Sequence, residues 1–254
     1  MTKSFVLFQI LIILWFAIAI AVFFALLHIT APYGRHQRLG WGPSIDKRIG
    51  WIIMESPAVL VFAAFFTAGE HRRGAAAFIF LVMWEAHYIH RAAVYPLRLG
   101  GKTRRNPVII IALAFFFNVV NGGLNGWYLF HLSGGYAPEW MTDPRFLLGL
   151  GLFIAGFALN RLADGKLKKV KGAQPSGYGI PRGGLYEWVS CPNYLGEIIE
   201  WAGWALATWS LPGLAFAVWT TANLVPRARS HHNWYHRKFP DYPDKRRALI
   251  PGIW

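Results

Sequence analysis

Seven stretches of this chain are apolar for long enough to cross about 30 Å of hydrocarbon as helices, and that one feature confines it to a membrane fold. They cover residues 5–27, 51–68, 75–95, 107–131, 146–162, 194–209 and 211–225. Inside a bilayer every backbone polar group must find a partner within its own segment, so the expectation is an all-α integral membrane protein of about seven transmembrane helices. The last two runs are separated only by Ser210-Leu211-Pro212, a turn that folds them into an antiparallel hairpin. The first run is too long for a signal-peptide core and lacks a small-residue cleavage site before His28, so it reads as a retained span. Composition agrees: 55% of residues are apolar and 15% charged, a poor fit to a water-soluble domain. Many of the 13 Trp residues, such as Trp51, Trp127, Trp201 and Trp204, lie near run ends, where hydrocarbon meets headgroups.

The formal charge of +14 is distributed as topology rather than as a nucleic-acid footprint. With seven spans the connecting segments alternate sides, and 21 of the 26 Lys and Arg residues fall on one side. That side holds the clusters at 35–48, 98–105, 161–182 and 227–247, whereas Lys3, Arg72, Arg73 and Arg145 fall on the other. Excess Lys and Arg marks the cytoplasmic face. The C-terminus is therefore expected in the cytosol and the N-terminus outside. The single Cys191 excludes an intramolecular disulfide and leaves the redox compartment open.

A carboxylate at mid-bilayer costs at least ~2.5 kcal/mol, which makes each intramembrane polar residue a functional candidate. Glu55 lies in the second run, Glu85, His87, Tyr88, His90 and Arg91 in the third, and Asn118, Asn121 and Asn125 in the fourth. The plainer alternative is that they glue helices together, for example Glu85 or His87 paired with Arg91. Toward the basic side, helical spacing aligns Asn160 with Asp164, Asn193 with Glu197, Glu200, Trp201 and Trp204, and Arg227 with His231 and Tyr235. Between them, 166–182 carries five basic residues among Gly and Pro, which predicts a mobile basic loop suited to a polyphosphate or to anionic lipid. Gly149, Gly151 and Gly156 lack the strand, turn and spacing of a Rossmann fingerprint, and Gly122 to Gly126 reads as close helix packing. The nine His residues are too scattered for a di-iron centre, so no metal is expected.

The run Leu195 to Trp209 followed by Ser210-Leu211-Pro212 closely resembles the steroid 5-alpha-reductase family. The likeness continues through His231-His232, Tyr235, Phe239, Asp241-Tyr242-Pro243 and Arg246 to Pro251. It reaches back to Tyr33-Gly34, Glu55-Ser56-Pro57, His87-Tyr88 with His90-Arg91, and Ile180-Pro181 with Gly183-Gly184-Leu185. The resemblance implies one transmembrane reductase domain over 1–254, its cofactor-binding cytosolic portion mainly 160–254. It implies NADPH-dependent reduction of the Δ4 double bond of a 3-oxo-Δ4 steroid, with Glu55 and Tyr88 polarising the C3 carbonyl. It carries NADPH contacts onto Asn160, Asp164, Lys171, Tyr178, Asn193, Arg227, His231 and Tyr235, and substrate contacts onto Glu197, Trp201 and Tyr33. Lys171 stands where vertebrate members carry Arg, which keeps charge but loses bidentate geometry. Sterol-ring, polyprenol and enoyl-thioester reductases are relatives, so another lipid enone is the alternative substrate.

In this reading Tyr88 donates to the carbonyl oxygen as negative charge develops there. Glu55 assists as a neutral acid or as a carboxylate, and the residues alone leave that open. The partners expected are a steroid or related lipid and membrane lipid, with no nucleic acid and no obligate protein partner evident. The location expected is the endoplasmic reticulum membrane in a eukaryote or the inner membrane in a bacterium. Two rivals stand beside it. Pro192-Asn193-Tyr194-Leu195-Gly196 resembles a short pattern of isoprenylcysteine methyltransferases, which use S-adenosylmethionine, and a sterol-binding scaffold would need no reactive dyad.

Overall fold

A computed structural model describes residues 3–36, 38, 40–99, 105–173 and 178–254, and of residues 171 and 173 the backbone alone. Helices dominate: α1 (Lys3–His28), α2 (Lys47–Ala68), α3 (Ala75–Ile89), the single turn α4 (Tyr95–Leu97), α5 (Val108–Trp127), α6 (Pro144–Ala173), α7 (Pro192–Thr208) and α8 (Leu211–Lys238). Four segments are long and apolar enough to cross a bilayer, namely Lys3–His28, Lys47–Ala68, Val108–Leu132 and Pro144–Val170. By that measure of length and composition α3, α7 and α8 fall short. The first stops after 15 residues and the second after 17, while Thr220, Thr221 and Asn223 dilute the apolar start of the third.

The Cα packing divides the chain into two compact units. The first comprises 1–13, 31–147 and 210–212. Here α2 packs along α5 and α3. Phe62 lies flat on Trp84 at 4.4 Å, and the Trp84 indole N–H donates to the Ala58 carbonyl at 2.9 Å, which fixes α3 against α2. Gly122 and Gly126 open α5 to α2: a Cβ on Gly126 would stand 2.7 Å from that of Phe65. A two-stranded antiparallel ribbon that hydropathy did not anticipate, β1 (Ser44–Asp46) with β2 (Arg105–Pro107), precedes α2 and α5. It ends in caps for both helices. The Asp46 carboxylate accepts the Arg48 N–H at 2.7 Å, and the Val108 N–H donates to the Pro43 carbonyl at 2.9 Å.

The second unit comprises 14–30, 148–209 and 213–254. Its centre is the contact of α6 with α7, made by glycines seven apart on each helix. A Cβ on Gly156 would lie 2.3 Å from the Glu200 nitrogen, and one on Gly203 2.4 Å from the Phe153 nitrogen. Gly149 and Gly196 meet the opposite backbone at 2.3 and 2.6 Å in the same way. Small residues allow this backbone-to-backbone approach, which replaces side-chain burial as the source of packing between helices in lipid. The turn from α7 to α8 falls at Trp209, whose φ of 42 is left-handed, and Leu211 and Pro212 already open α8.

One expectation is corrected here. The segment from Lys166 is not a loop at its start: α6 continues to Ala173, because the Lys and Leu residues between Gly165 and Gly172 favour helix and no proline intervenes. Past Val225, where the last apolar run ends, α8 continues through Pro226 to Lys238, which places Arg227, His231 and Tyr235 on one helix as their spacing predicts.

Candidate active site

The first unit holds the acid and the phenol. Glu55, on α2, is 8% exposed, and Tyr88, on α3, is 3% exposed. Asn118 on α5 donates to a Glu55 carboxyl oxygen at 3.3 Å and to the Met54 carbonyl at 2.6 Å. The Arg91 guanidinium approaches the other Glu55 oxygen at 3.6 Å. Asn118 and Arg91 each bring a donor group to this carboxyl. The guanidinium thus reaches across to α2, a partner that the sequence reading, which names Glu85 or His87 for Arg91, does not give.

Arg91 lies in a π-helical turn, His90–Val94, that follows α3 directly. Such turns are rare and concentrate at functional sites, since one extra residue re-aims the side chains around it. This one sets the Arg91 guanidinium 4.5 Å over the Trp51 ring, and Trp51 in turn meets Tyr95 at 4.8 Å. Tyr88 is packed against Trp84 at 4.9 Å and His87 at 5.0 Å. Tyr33, also in this unit, is half-buried in the turn after α1, where its N–H donates to the Ala31 carbonyl.

The second unit gathers most of the residues expected at the cofactor. Asn160 on α6 donates to the Asn193 carbonyl at 2.9 Å and to Glu197 at 3.3 Å, both on α7. Asn193 returns a bond to Asp164 at 3.0 Å. Arg161 donates to the Asn160 side-chain oxygen and pairs with Asp164 at 3.5 Å. On the neighbouring face, Arg227 donates through Nε to the Tyr194 hydroxyl at 2.9 Å, and that hydroxyl is 2.9 Å from His231 Nε2. Tyr194 and His231 also stack, 5.6 Å apart and 29° from parallel. Tyr178 rests on Trp234 at 5.1 Å, and Tyr235 lies parallel to Tyr242 at 5.0 Å.

The glycine contact between α6 and α7 is what brings Asn160 within reach of the first turn of α7. Amides, phenols, a carboxylate and guanidinium groups on this scale match the amide, hydroxyl and phosphate groups of a dinucleotide. Arg161 and Tyr194 had been given no such role. Arg161 was counted with the topology charges, and Tyr194 only in the short methyltransferase-like pattern. Trp201 is 1% exposed among Phe153, Trp204 and Phe216, with the Phe216 ring 4.1 Å away. The side chain of Lys171 lies outside the described residues.

The C-terminal segment covers this end of the unit. Ser190 Oγ lies 2.7 Å from His232 Nδ1 and 2.7 Å from the Tyr242 hydroxyl. Burial, with His236 and Arg247 nearby, holds the His232 imidazole below its ordinary range. Arg246, 1% exposed, donates to the Pro181 carbonyl at 3.0 Å and pairs with Glu187 at 3.5 Å. Among the described residues no group of three His, Cys, Asp or Glu could hold a metal ion.

The chain is similar to known proteins over most of its length. A family profile described as 3-oxo-5-alpha-steroid 4-dehydrogenase matches residues 104–254. A steroid 5-alpha-reductase of Gossypium hirsutum is 43% identical over 243 residues, 94% of each chain. One of Arabidopsis thaliana is 42% identical over 233 residues, 89% of this chain and 88% of the relative. The Homo sapiens 3-oxo-5-alpha-steroid 4-dehydrogenase 1 is 40% identical over 240 residues, 93% of this chain and 92% of the relative.

Proposed function

This chain belongs to the 3-oxo-5-alpha-steroid 4-dehydrogenase family of oxidoreductases acting on CH–CH groups, and on that premise we propose that it reduces the Δ4 double bond of 3-oxo-Δ4 steroids to the 5-alpha product, with NADPH as reductant. The observation that carries the reading is the buried Glu55, held by Asn118 and Arg91 on the same unit as Tyr88. An ionisable group within a membrane span is costly to place there, which marks it as a functional candidate.

Tyr88 donates a hydrogen bond to the C3 carbonyl oxygen, where negative charge develops as C5 accepts hydride and a proton adds at C4. Glu55 acts beside it, with Asn118 and Arg91 at its carboxyl oxygens. Its pair with Arg91 also ties the π-helical turn to α2, which sets the depth of Tyr88 one turn earlier on α3. Tyr33 is assigned to the substrate as well. Dry apolar surroundings keep water from competing for the carbonyl.

NADPH, when bound, supplies the hydride. The second unit fits it by the chemistry of its donors. Asn160, Asp164, Tyr178, Asn193, Arg227, His231 and Tyr235 would hold it, with Lys171 as an added cation. Arg227 and His231 would offer donor groups to its phosphates, and Asn193 and Asp164 would offer an amide and a carboxyl group to its polar sugar or base. We place the N-terminus outside and the C-terminus in the cytosol, with seven spans, in the endoplasmic reticulum membrane of a eukaryote or the inner membrane of a bacterium.

The test is NADPH oxidation by detergent-purified protein with a 3-oxo-Δ4 steroid, a sterol dienone, a polyprenal and an enoyl thioester. Turnover with the steroid and formation of the 5-alpha ketone are expected. Turnover confined to another member of the panel would reassign the substrate.

A further inference from the structure

After α8 the chain turns back and is fixed at the opening of α7. The Arg247 N–H donates to the Trp188 carbonyl at 2.9 Å, and the Ser190 N–H donates to the Arg247 carbonyl at 2.8 Å. Two residues on, Leu249 is 2% exposed and packs with Cys191, Ala228, Tyr194, Leu195, Ile198 and Val225. Cys191 directly precedes α7, and Val225 ends the apolar stretch of α8. Leu249 is therefore a peg set where these two helices pass from apolar to polar sequence. The residues after it close a tight turn, in which the Leu249 and Ile250 N–H groups donate to the Trp254 carbonyl at 2.9 and 2.6 Å.

That turn faces outward with apolar side chains, Ile250 being 41% exposed, Ile253 77% and Trp254 36%, and Trp188, on the segment paired with Arg247, is 63% exposed. Exposed Arg247 stands among them, with Lys245 just before. Trp beside Ile and Arg is the composition of the bilayer interface, where the ring sits at headgroup level and the guanidinium meets lipid phosphate. Water would be a poor medium for such a surface, and the hydrogen bonds to Trp188 prevent the tail from folding its apolar side chains elsewhere.

We propose that Trp188, Ile250, Ile253 and Trp254 form an interfacial foot that inserts into the headgroup region of the cytoplasmic leaflet, with Arg247 contacting anionic lipid. The foot holds the C-terminal segment, which carries Arg246 and Tyr242, at a fixed depth beside the first turn of α7. The occupant is lipid, because the patch is pinned at the ends of two apolar helices and carries both apolar and cationic character.

The experiment is spin-label accessibility in nanodiscs of phosphatidylcholine with and without phosphatidylglycerol. Single cysteines are placed at Ile250→Cys, Ile253→Cys and, as an aqueous reference, Asp244→Cys. Buried Cys191 gives the unlabelled background, checked on the parent protein. The labels at 250 and 253 are expected to be relaxed more by oxygen than by a water-soluble nickel chelate, and the label at 244 the reverse. Arg247→Gln should reduce the added depth seen with phosphatidylglycerol. Chelate access at 250 and 253 equal to that at 244 overturns the proposal. So does shielding from both reagents, which would mean that protein, such as a second copy of the chain, covers the patch.

Discussion

On the proposed mechanism Tyr88 and Glu55 share the work on the carbonyl, and each has a replacement close to it in shape. Loss of a single donor to a developing oxyanion costs about 10²–10³ in kcat. Tyr88→Phe is therefore expected to lower kcat by about 10²-fold while the thermal midpoint and NADPH binding stay at wild-type values. Glu55→Gln removes the charge opposite Arg91 and should lower kcat as well; full activity in either variant removes that residue from the reaction. At the cofactor end, Arg227→Ala takes away a donor worth about 1.5–3 kcal/mol to a charged group. The KM for NADPH should rise about tenfold or more with kcat little changed, and an unchanged KM would dismiss Arg227. Sequence exposed these residues because ionisable groups are conspicuous in apolar runs. It did not expose their pairing: Arg91 is one helical turn from His87, and only the packing of α2 on α3 and α5 brings it and Asn118 to Glu55.

Among the elements, α6 and α7 carry the sharpest prediction, since their contact is backbone against backbone. Overpacking costs about 1–3 kcal/mol, and in a chain of this size each kcal/mol moves the midpoint by about 2–4 °C. Gly156→Ala should thus lower the thermal midpoint and weaken NADPH binding through Asn160. Gly151→Ala, on the same helix with open space where its Cβ would stand, should do neither. The hydropathy pattern located α1, α2, α5 and α6 closely, but it stopped α6 and α8 where apolar sequence stops. Both helices continue beyond, because Lys and Arg are good helix formers and need only water around them. The ribbon of β1 and β2 left no trace in sequence, being three residues a side and defined by its partner rather than by its own pattern.

For the molecule as a whole, pH and topology are the open dimensions. The His232 imidazole is neutral in the folded protein more readily than in the unfolded chain, so its contribution is present above its unfolded pKa of about 6.5 and is lost as pH falls below it. The midpoint should drop between pH 7 and pH 5 more steeply in the wild type than in His232→Gln, in which an amide takes the place of the imidazole beside Ser190. Charge segregation along the sequence implies sidedness: in sealed vesicles, cysteines at Lys3 and Arg72 should label from one side and one at Lys238 from the other. Labelling of all three from the same side would refute seven spans. Membrane class and reaction type were readable in the chain from its apolar runs and its family motifs, while the division into two packed units was not, because each unit is assembled from segments distant in sequence. The central claim is tested most directly by giving the purified protein a 3-oxo-Δ4 steroid and NADPH deuterated at nicotinamide C4. A 5-alpha ketone with a single deuterium at C5 is expected; a product lacking deuterium there, or no product at all, would overturn the proposed reaction.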